Sequence, residues 1–164
     1  MPTPFEDSTK RERPFSPEQT GWSAHVIPAL IRKFHQAKQE GSAEVVVWGT
    51  GKPRREFLYV DDVAEAIVFL FENVDAKTIY DLGVPHVNIG TGNDLEIGQL
   101  AELISSVIDY RGTIKFDPVK PDGTPRKLLD VGRMDQLGWK YKTELKEGLE
   151  QTYDWFLNSE FANN

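Results

Sequence analysis

The side chains best suited to chemistry are four cations and one indole ring, on segments that predict loops or the ends of helices and strands. They are Lys33, Trp48, Arg55, Arg126 and Lys127. Guanidinium and ammonium groups bind diphosphates, and an indole ring offers a platform for another ring. In a chain with a formal net charge of -7, such groups indicate an anionic small-molecule ligand. The alternative is that they pair with the many surface carboxylates.

Two of these groups lie in the stretch 45–62, which reads VVVWGTGKPRREFLYVDD. Two apolar runs flank a turn that contains glycine and proline, and two aspartates follow the second run. This order predicts a strand, a turn, a strand and a helix cap. One interpretation is a hairpin with an exposed basic tip. The other is a strand end that holds Trp48 and Arg55 toward an anionic, ring-bearing ligand. The local pattern by itself favours the hairpin.

Composition excludes several classes of protein. A chain of 164 residues is the size of one ordinary domain, and its acidic balance argues against nucleic-acid binding. No run of about 18 or more apolar residues occurs, so no membrane span is predicted. No secretory leader is evident, and the absence of cysteine excludes disulfides, thiolate metal sites and a cysteine nucleophile. These features fit a reducing compartment, and we expect a cytoplasmic protein.

Apolar residues at helical spacing predict four helices. The first is expected from about Ser23 to Gly41, a residue suited to a left-handed cap. The other three are expected to follow caps at Asp61 or Asp62, at Asn93 or Asp94, and at Thr143. Short strands are predicted at 87–90 and 114–116, followed by a basic loop rich in proline and glycine at 118–130.

The histidines offer little beyond one candidate. His25, His35 and His86 lack metal-ligand spacing, so no metal is predicted. His25 lies at the start of the first predicted helix. It is either a residue near the cap with a free imidazole or an acid or base held at a helix end. The pattern favours the first role.

Neither glycine motif completes a nucleotide fingerprint. Pro53 follows Lys52 where a Walker A loop has serine or threonine. Gly90-Thr91-Gly92 follows a predicted strand, but Leu95 occupies the third small position and no acidic strand end follows at the required distance. This turn is better interpreted as a tight strand-to-helix connection, so no complete cofactor motif is predicted.

Four segments closely resemble the GDP-L-fucose synthase family, bifunctional epimerase/reductases of the extended short-chain dehydrogenase/reductase superfamily. They are HVIPALIRKFH at 25–35, VVVWGTGKPRREFLYVDDVAEAI at 45–67, HVNIGTG at 86–92 and KPDGTPRKLLDVGRMDQLGW at 120–139. The resemblance covers residues 23–157, and its motifs occur together, in order and at natural spacing. The family epimerises two sugar carbons of GDP-4-keto-6-deoxy-mannose and then reduces the keto group with NADPH.

The resemblance implies roles for individual residues. His25 matches the family's histidine acid in epimerisation. The residues that match nucleotide-sugar contacts are Lys33, Trp48, Arg55 and Lys127, with Arg126 and Asp122 as weaker matches. The resemblance implies no cofactor-binding position in this chain. The cofactor of the family is NADP, and we expect no cofactor to bind this chain alone.

The resemblance also implies an α/β fold with α+β character, the C-terminal substrate domain of an extended short-chain dehydrogenase/reductase whose Rossmann half is missing. We expect a variable or disordered arm at 1–22, a nucleotide-sugar-binding domain at 23–158 and a tail at 159–164. The strand at 87–90 would then have an open edge. This predicts self-association through that edge or a truncated gene, and a separate Rossmann-domain chain is a third arrangement.

Three functions therefore stay open. The chain binds a GDP-sugar but is inactive alone, or it forms a full enzyme with a separate Rossmann polypeptide. The third is a non-catalytic remnant that acts as an interaction or structural module. Whether it is an enzyme by itself is left open.

Overall fold

The computed structural model describes residues 25–81, 83 and 86–159. The predicted arm at 1–22 and most of the predicted tail lie outside this range. The helices are α1 (Val26–Glu40), α2 (Val60–Asn73), α3 (Ala76–Asp81), α4 (Ile97–Ile108), α5 (Gly132–Leu137) and α6 (Leu145–Leu157). The strands are β1 (Glu44–Trp48), β2 (Arg54–Glu56), β3 (Asp94–Glu96), β4 (Thr113–Asp117) and β5 (Arg126–Lys127). The mixed helix and strand content confirms the predicted fold class.

The first helix is the one the sequence predicts most closely. His25 is its N-cap residue, and Gly41 ends it with φ of 66°. The N–H of Gly41 donates to the carbonyls of Ala37 and Lys38, so the predicted left-handed cap is confirmed.

The strands form two small sheets, and the hairpin interpretation of residues 45–62 is wrong. β1 pairs in parallel with β4, while β2 pairs antiparallel with β3 and parallel with β5. The connection between β1 and β2 is bonded to other elements. The N–H of Gly49 donates to the carbonyl of Asp117, and the carbonyl of Pro53 accepts from the N–H of Ile97. The connection therefore links two different sheets, and β2 does not fold back to pair with β1.

The main core joins α1, α4 and α6 to one face of β1. Its fully buried side chains include Ile31, Phe34, Leu100, Ile104 and Phe156. A second cluster packs Ala66 of α2 against Met134 and Trp139. The apolar spacing that predicted α1, α4 and α6 thus corresponds to the face that each helix buries in the main core.

The predicted cap of α2 is wrong, because Tyr59 is the N-cap and both aspartates lie in the first turn. A carboxylate in that turn is favoured by the helix dipole. Asp62 is only 3% exposed, and its two oxygens accept the backbone N–H groups of Lys142 and Thr143 at 3.1 and 3.0 Å. Its role is to tie α2 to the chain that enters α6.

The region around the second glycine turn also differs from prediction. Residues 87–90 form no strand, since no strand in the described part of the chain pairs with them. Asp94 belongs to β3, and the cap of α4 is Glu96, in a capping box with Gln99. The predicted strand at 114–116 is confirmed within β4.

Two helices were not predicted, and one helix start is displaced. The unpredicted helices are α3 and α5, and each is only six residues long. Such short helices carry too few apolar positions to show a period. The last helix begins after Glu144, one residue beyond the predicted cap.

Helix α2 has a second apolar face that points away from the protein. Val60, Ile67, Val68 and Phe71 are 68%, 43%, 52% and 86% exposed, and they lie on one side at helical spacing with exposed Ala64. A helix that is apolar on both sides is typical of one covered on both sides. Separately, none of the described helices is long and apolar enough to cross a membrane.

Candidate functional site

A cavity of about 460 Å³ lies beside β2 at the end of β1. Its wall brings together five of the seven predicted site residues, His25, Trp48, Arg55, Asp122 and Lys127. His25 lies at the start of α1 and Trp48 at the end of β1. Arg55 is in β2, Lys127 is in β5, and Asp122 is in the loop between β4 and β5. Lys33 and Arg126 do not line this cavity.

Trp48 reaches the cavity through the alternation of β1. Val45 and Val47 are buried in the core, so Trp48 lies on the opposite side from the core and is 66% exposed. Gly49 follows with φ of 84°. A Cβ atom at position 49 would lie 2.3 Å from Oδ1 of Asp122, so only glycine allows this close approach.

Lys33 lies next to this indole. Its Nζ donates a hydrogen bond of 2.8 Å to the carbonyl of Val46 and is 5.2 Å from the centre of the Trp48 ring. Partial burial lowers the pKa of Lys33. A second lysine, Lys120, also lies over the ring, at 5.4 Å. Lys120 lies in the segment 120–139 that carries the family resemblance, but it is not among the predicted site residues.

The pairing of β2 with β5 places like charges opposite each other. Arg54 is opposite Arg126, and Arg55 is opposite Lys127. The first pair shares Asp94, whose side chain is 4% exposed and accepts from Nε of Arg54 at 2.8 Å and Nε of Arg126 at 2.5 Å. Hydrogen bonds from both arginines lower the pKa of Asp94, that from Arg126 the most. Arg126 therefore belongs to an ion-pair cluster within the sheet.

The second pair faces the cavity and has no such neutralising group. Arg55 donates through Nη1 to the carbonyls of Arg54 and Thr124 at 2.7 and 2.6 Å. Among the described residues, no carboxylate forms an ion pair with Arg55, Lys127 or Lys33. Like charges directly across a sheet are unfavourable. Pairing with a carboxylate thus accounts for Arg126, whose partner Asp94 is buried, but not for Arg55 and Lys127 beside the cavity.

Asp122 holds the loop after β4 against the turn after β1. The N–H of Thr50 donates to Oδ1 at 2.8 Å, and its hydroxyl donates to Oδ2 at 2.6 Å. These bonds, the hydroxyl first, lower the pKa of Asp122. With both oxygens occupied, Asp122 shapes the cavity wall by fixing the loop.

Glu56 is a structural residue that sequence reasoning missed. Its Oε1 accepts the N–H groups of Thr91 and Gly92 at 2.5 and 2.6 Å, and Oε2 accepts that of Leu129 at 2.9 Å. The N–H groups of Thr91 and Gly92 in the glycine turn are therefore used inside the protein. These two donors are therefore not free to bind a phosphate group. Strand β2 is charged throughout, so no local pattern distinguishes Glu56 from its neighbours.

His25 is exposed on the cavity wall, and its side chain makes no capping hydrogen bond. This position suits a group that meets a ligand, and its role as an acid stays a prediction. The described residues contain no group of three or more histidine, aspartate or glutamate side chains placed to hold a metal ion.

Comparisons with known proteins find one enzyme family and several similar proteins within it. Residues 10–90 match the NAD dependent epimerase/dehydratase family. The chain is 50% identical to GDP-L-fucose synthase 1 of Arabidopsis thaliana over 145 residues, covering 88% of this chain and 42% of that protein. It is 48% identical to GDP-L-fucose synthase of Escherichia coli, covering 84% of this chain and 44% of that protein. The chain thus spans less than half the length of these curated relatives.

A solved structure has a similar fold to this chain. The GDP-L-fucose synthetase of Naegleria fowleri bound to NADP superimposes with a TM-score of 0.71 at 28% identity, covering 82% of this chain and 40% of that one. The fold and the family match place the chain in the extended short-chain dehydrogenase/reductase superfamily. Within this superfamily, it is a relative of GDP-L-fucose synthase.

Proposed function

We propose that the chain binds a GDP-sugar in the cavity between β1, β2 and the loop after β4. The observation that supports this most is the cross-strand pair of Arg55 and Lys127, which faces the cavity without a carboxylate partner among the described residues. A diphosphate would neutralise that pair. The exposed indole of Trp48 on the same wall would stack against the base.

The sheet supplies a matched pair of variants that tests this proposal. Arg55→Ala removes a cation that faces the cavity, whereas Arg126→Ala removes one on the neighbouring position that pairs with Asp94. We expect Arg55→Ala to weaken GDP binding by about tenfold to a hundredfold, the value of one charge-assisted hydrogen bond. Arg126→Ala should leave GDP affinity unchanged, because Arg126 does not line the cavity.

Isothermal titration calorimetry with GDP and GDP-mannose measures both effects, and circular dichroism confirms that each variant is folded. Equal affinity of the wild type and Arg55→Ala would instead support the non-catalytic remnant. No heat and no thermal shift with the wild-type protein would exclude GDP-sugar binding.

The chemistry of the family would need groups beyond those named in the cavity. Epimerisation requires a base to remove a proton beside a carbonyl and an acid to return one, and reduction requires a positioned nicotinamide. We propose that His25, which lines the cavity, supplies one of these proton transfers. We propose that the chain by itself binds nucleotide without oxidising NADPH, and that it resides in the cytoplasm.

A second candidate is that a separate polypeptide with a Rossmann fold completes an epimerase/reductase. The outward apolar face of α2, with Phe71 86% exposed, supports a partner that covers it. Size-exclusion chromatography with light scattering distinguishes a monomer from a self-associated form. Mixing with a Rossmann-domain chain should then restore NADPH-dependent turnover, and Phe71→Ser should weaken that restoration, while the exposed control Glu102→Gln on α4 should not.

A further inference from the structure

Two lysines lie over the single indole of Trp48. The Nζ atoms of Lys33 and Lys120 are 5.2 and 5.4 Å from the ring centre. Two ammonium groups around one ring repel each other, and the attraction of each to the indole offsets only part of that repulsion. An anion close to the ring would relieve it.

The two lysines are held differently. Lys33 is on α1, and its ammonium also donates to the carbonyl of Val46. Lys120 is in the loop after β4, and its ammonium has no carboxylate or carbonyl partner among the residues that the structure describes. Lys120 can therefore leave the ring without breaking a hydrogen bond, while Lys33 cannot.

The backbone at Lys120 is nevertheless held in place by hydrogen bonds. Its N–H donates to the carbonyl of Asp117 at 3.2 Å. Two residues later, Asp122 is bonded to Thr50. The ammonium can thus change place by rotation of a long, exposed side chain, with the loop left where it is.

We infer that Lys120 is a movable cation of the nucleotide site. Its ammonium covers the indole when no ligand is bound, and it moves to the diphosphate when the base stacks on Trp48. This inference rests on the proposed binding of a GDP-sugar. It assigns Lys120 a positioning role and a contribution to the preference for diphosphate-bearing ligands over bare nucleosides.

The inference predicts opposite effects on two ligands. With guanosine, the base must displace the ammonium of Lys120 and no phosphate compensates. With GDP, the displaced ammonium gains a charge-assisted contact. Removal of the ammonium should therefore weaken GDP binding and leave guanosine binding equal or stronger. A lysine that merely supported the shape of the site would affect both ligands alike.

Calorimetry with GDP and guanosine on four proteins tests this. They are the wild type, Lys120→Met, Lys120→Arg and the control Lys146→Met, which changes an exposed lysine of α6 paired with Glu150. We expect Lys120→Met to weaken GDP binding by about fivefold to tenfold, the effect of one exposed charge-assisted contact. Its guanosine affinity should not fall. Lys120→Arg should retain GDP affinity, and the control should change neither ligand.

Each other outcome overturns the inference. Equal weakening of both ligands in Lys120→Met would show that the lysine only supports the ring. Unchanged GDP affinity in that variant, with a wild type that binds GDP, would refute the role of Lys120 and leave the proposed function intact. If the wild type binds no GDP, both the role of Lys120 and the proposed function are refuted. Because Lys120 is exposed, neither replacement should disturb the core.

Discussion

Replacement of Glu56 by glutamine tests whether one carboxylate holds three segments of the chain together. Oε1 accepts from Thr91 and Gly92, and Oε2 accepts from Leu129. These bonds join β2 to the glycine turn and to the chain after β5. A glutamine of the same shape has only one oxygen, so its amide cannot accept from all three N–H groups.

The expected magnitude follows from the better of the two amide orientations. With the amide oxygen toward Thr91 and Gly92, the NH₂ group meets the N–H of Leu129, so one charge-assisted bond is lost and two donors face each other. We expect the free energy of unfolding to fall by about 2 kcal/mol. For a chain of this size, that corresponds to a decrease in Tm of about 4–8 °C.

Urea denaturation followed by circular dichroism measures the change. Glu102→Gln, on the exposed side of α4, is the matched control and should change the free energy of unfolding by less than about 0.5 kcal/mol. A Glu56→Gln variant as stable as this control would refute the assignment of Glu56 as the residue that joins these segments.

Two further predictions concern hydrogen bonds away from the ligand. Tyr153→Phe removes the 2.9 Å hydrogen bond between the tyrosine hydroxyl and Nδ1 of buried His35, and should lower the free energy of unfolding by about 1 kcal/mol, as measured by urea denaturation; an unchanged value would contradict it. The depressed pKa of Asp122 means that its bonds to Thr50 stabilise the protein fully above the ordinary value of 3.8 and are lost as the pH falls through the lower folded value. In Thr50→Val, NMR titration should show a raised pKa of Asp122, and an unaltered titration curve would show that Thr50 is not the cause.

The elements that the sequence predicted correctly are those with a local signal. The helices α1, α2, α4 and α6 carry apolar residues at helical spacing over 12 to 15 residues, and β1 is a short apolar run that ends at a turn. The hairpin failed for the opposite reason. Strand pairing depends on which distant segment supplies the partner, and β4 and β5 lie far along the chain from β1 and β2.

The types of residue at the candidate site were visible in the sequence, but their partners were not. Lys33, Trp48, Arg55 and Lys127 could be selected because cations and a ring suit a nucleotide ligand. Glu56 and Lys120 could not, since their importance comes from atoms that only folding brings near them.

The adjacent basic residues at 54–55 and at 126–127 show what the sequence could and could not predict about the site. By itself, the sequence determined that adjacent cations occur at 54–55 and at 126–127. Only the tertiary structure decided that Arg126 faces Asp94 and that Lys127 faces the cavity with Arg55. Side chains alternate along a strand, so a shift of one residue in register would exchange the two roles. That register is set by contacts between β2, β3 and β5, which no local pattern encodes.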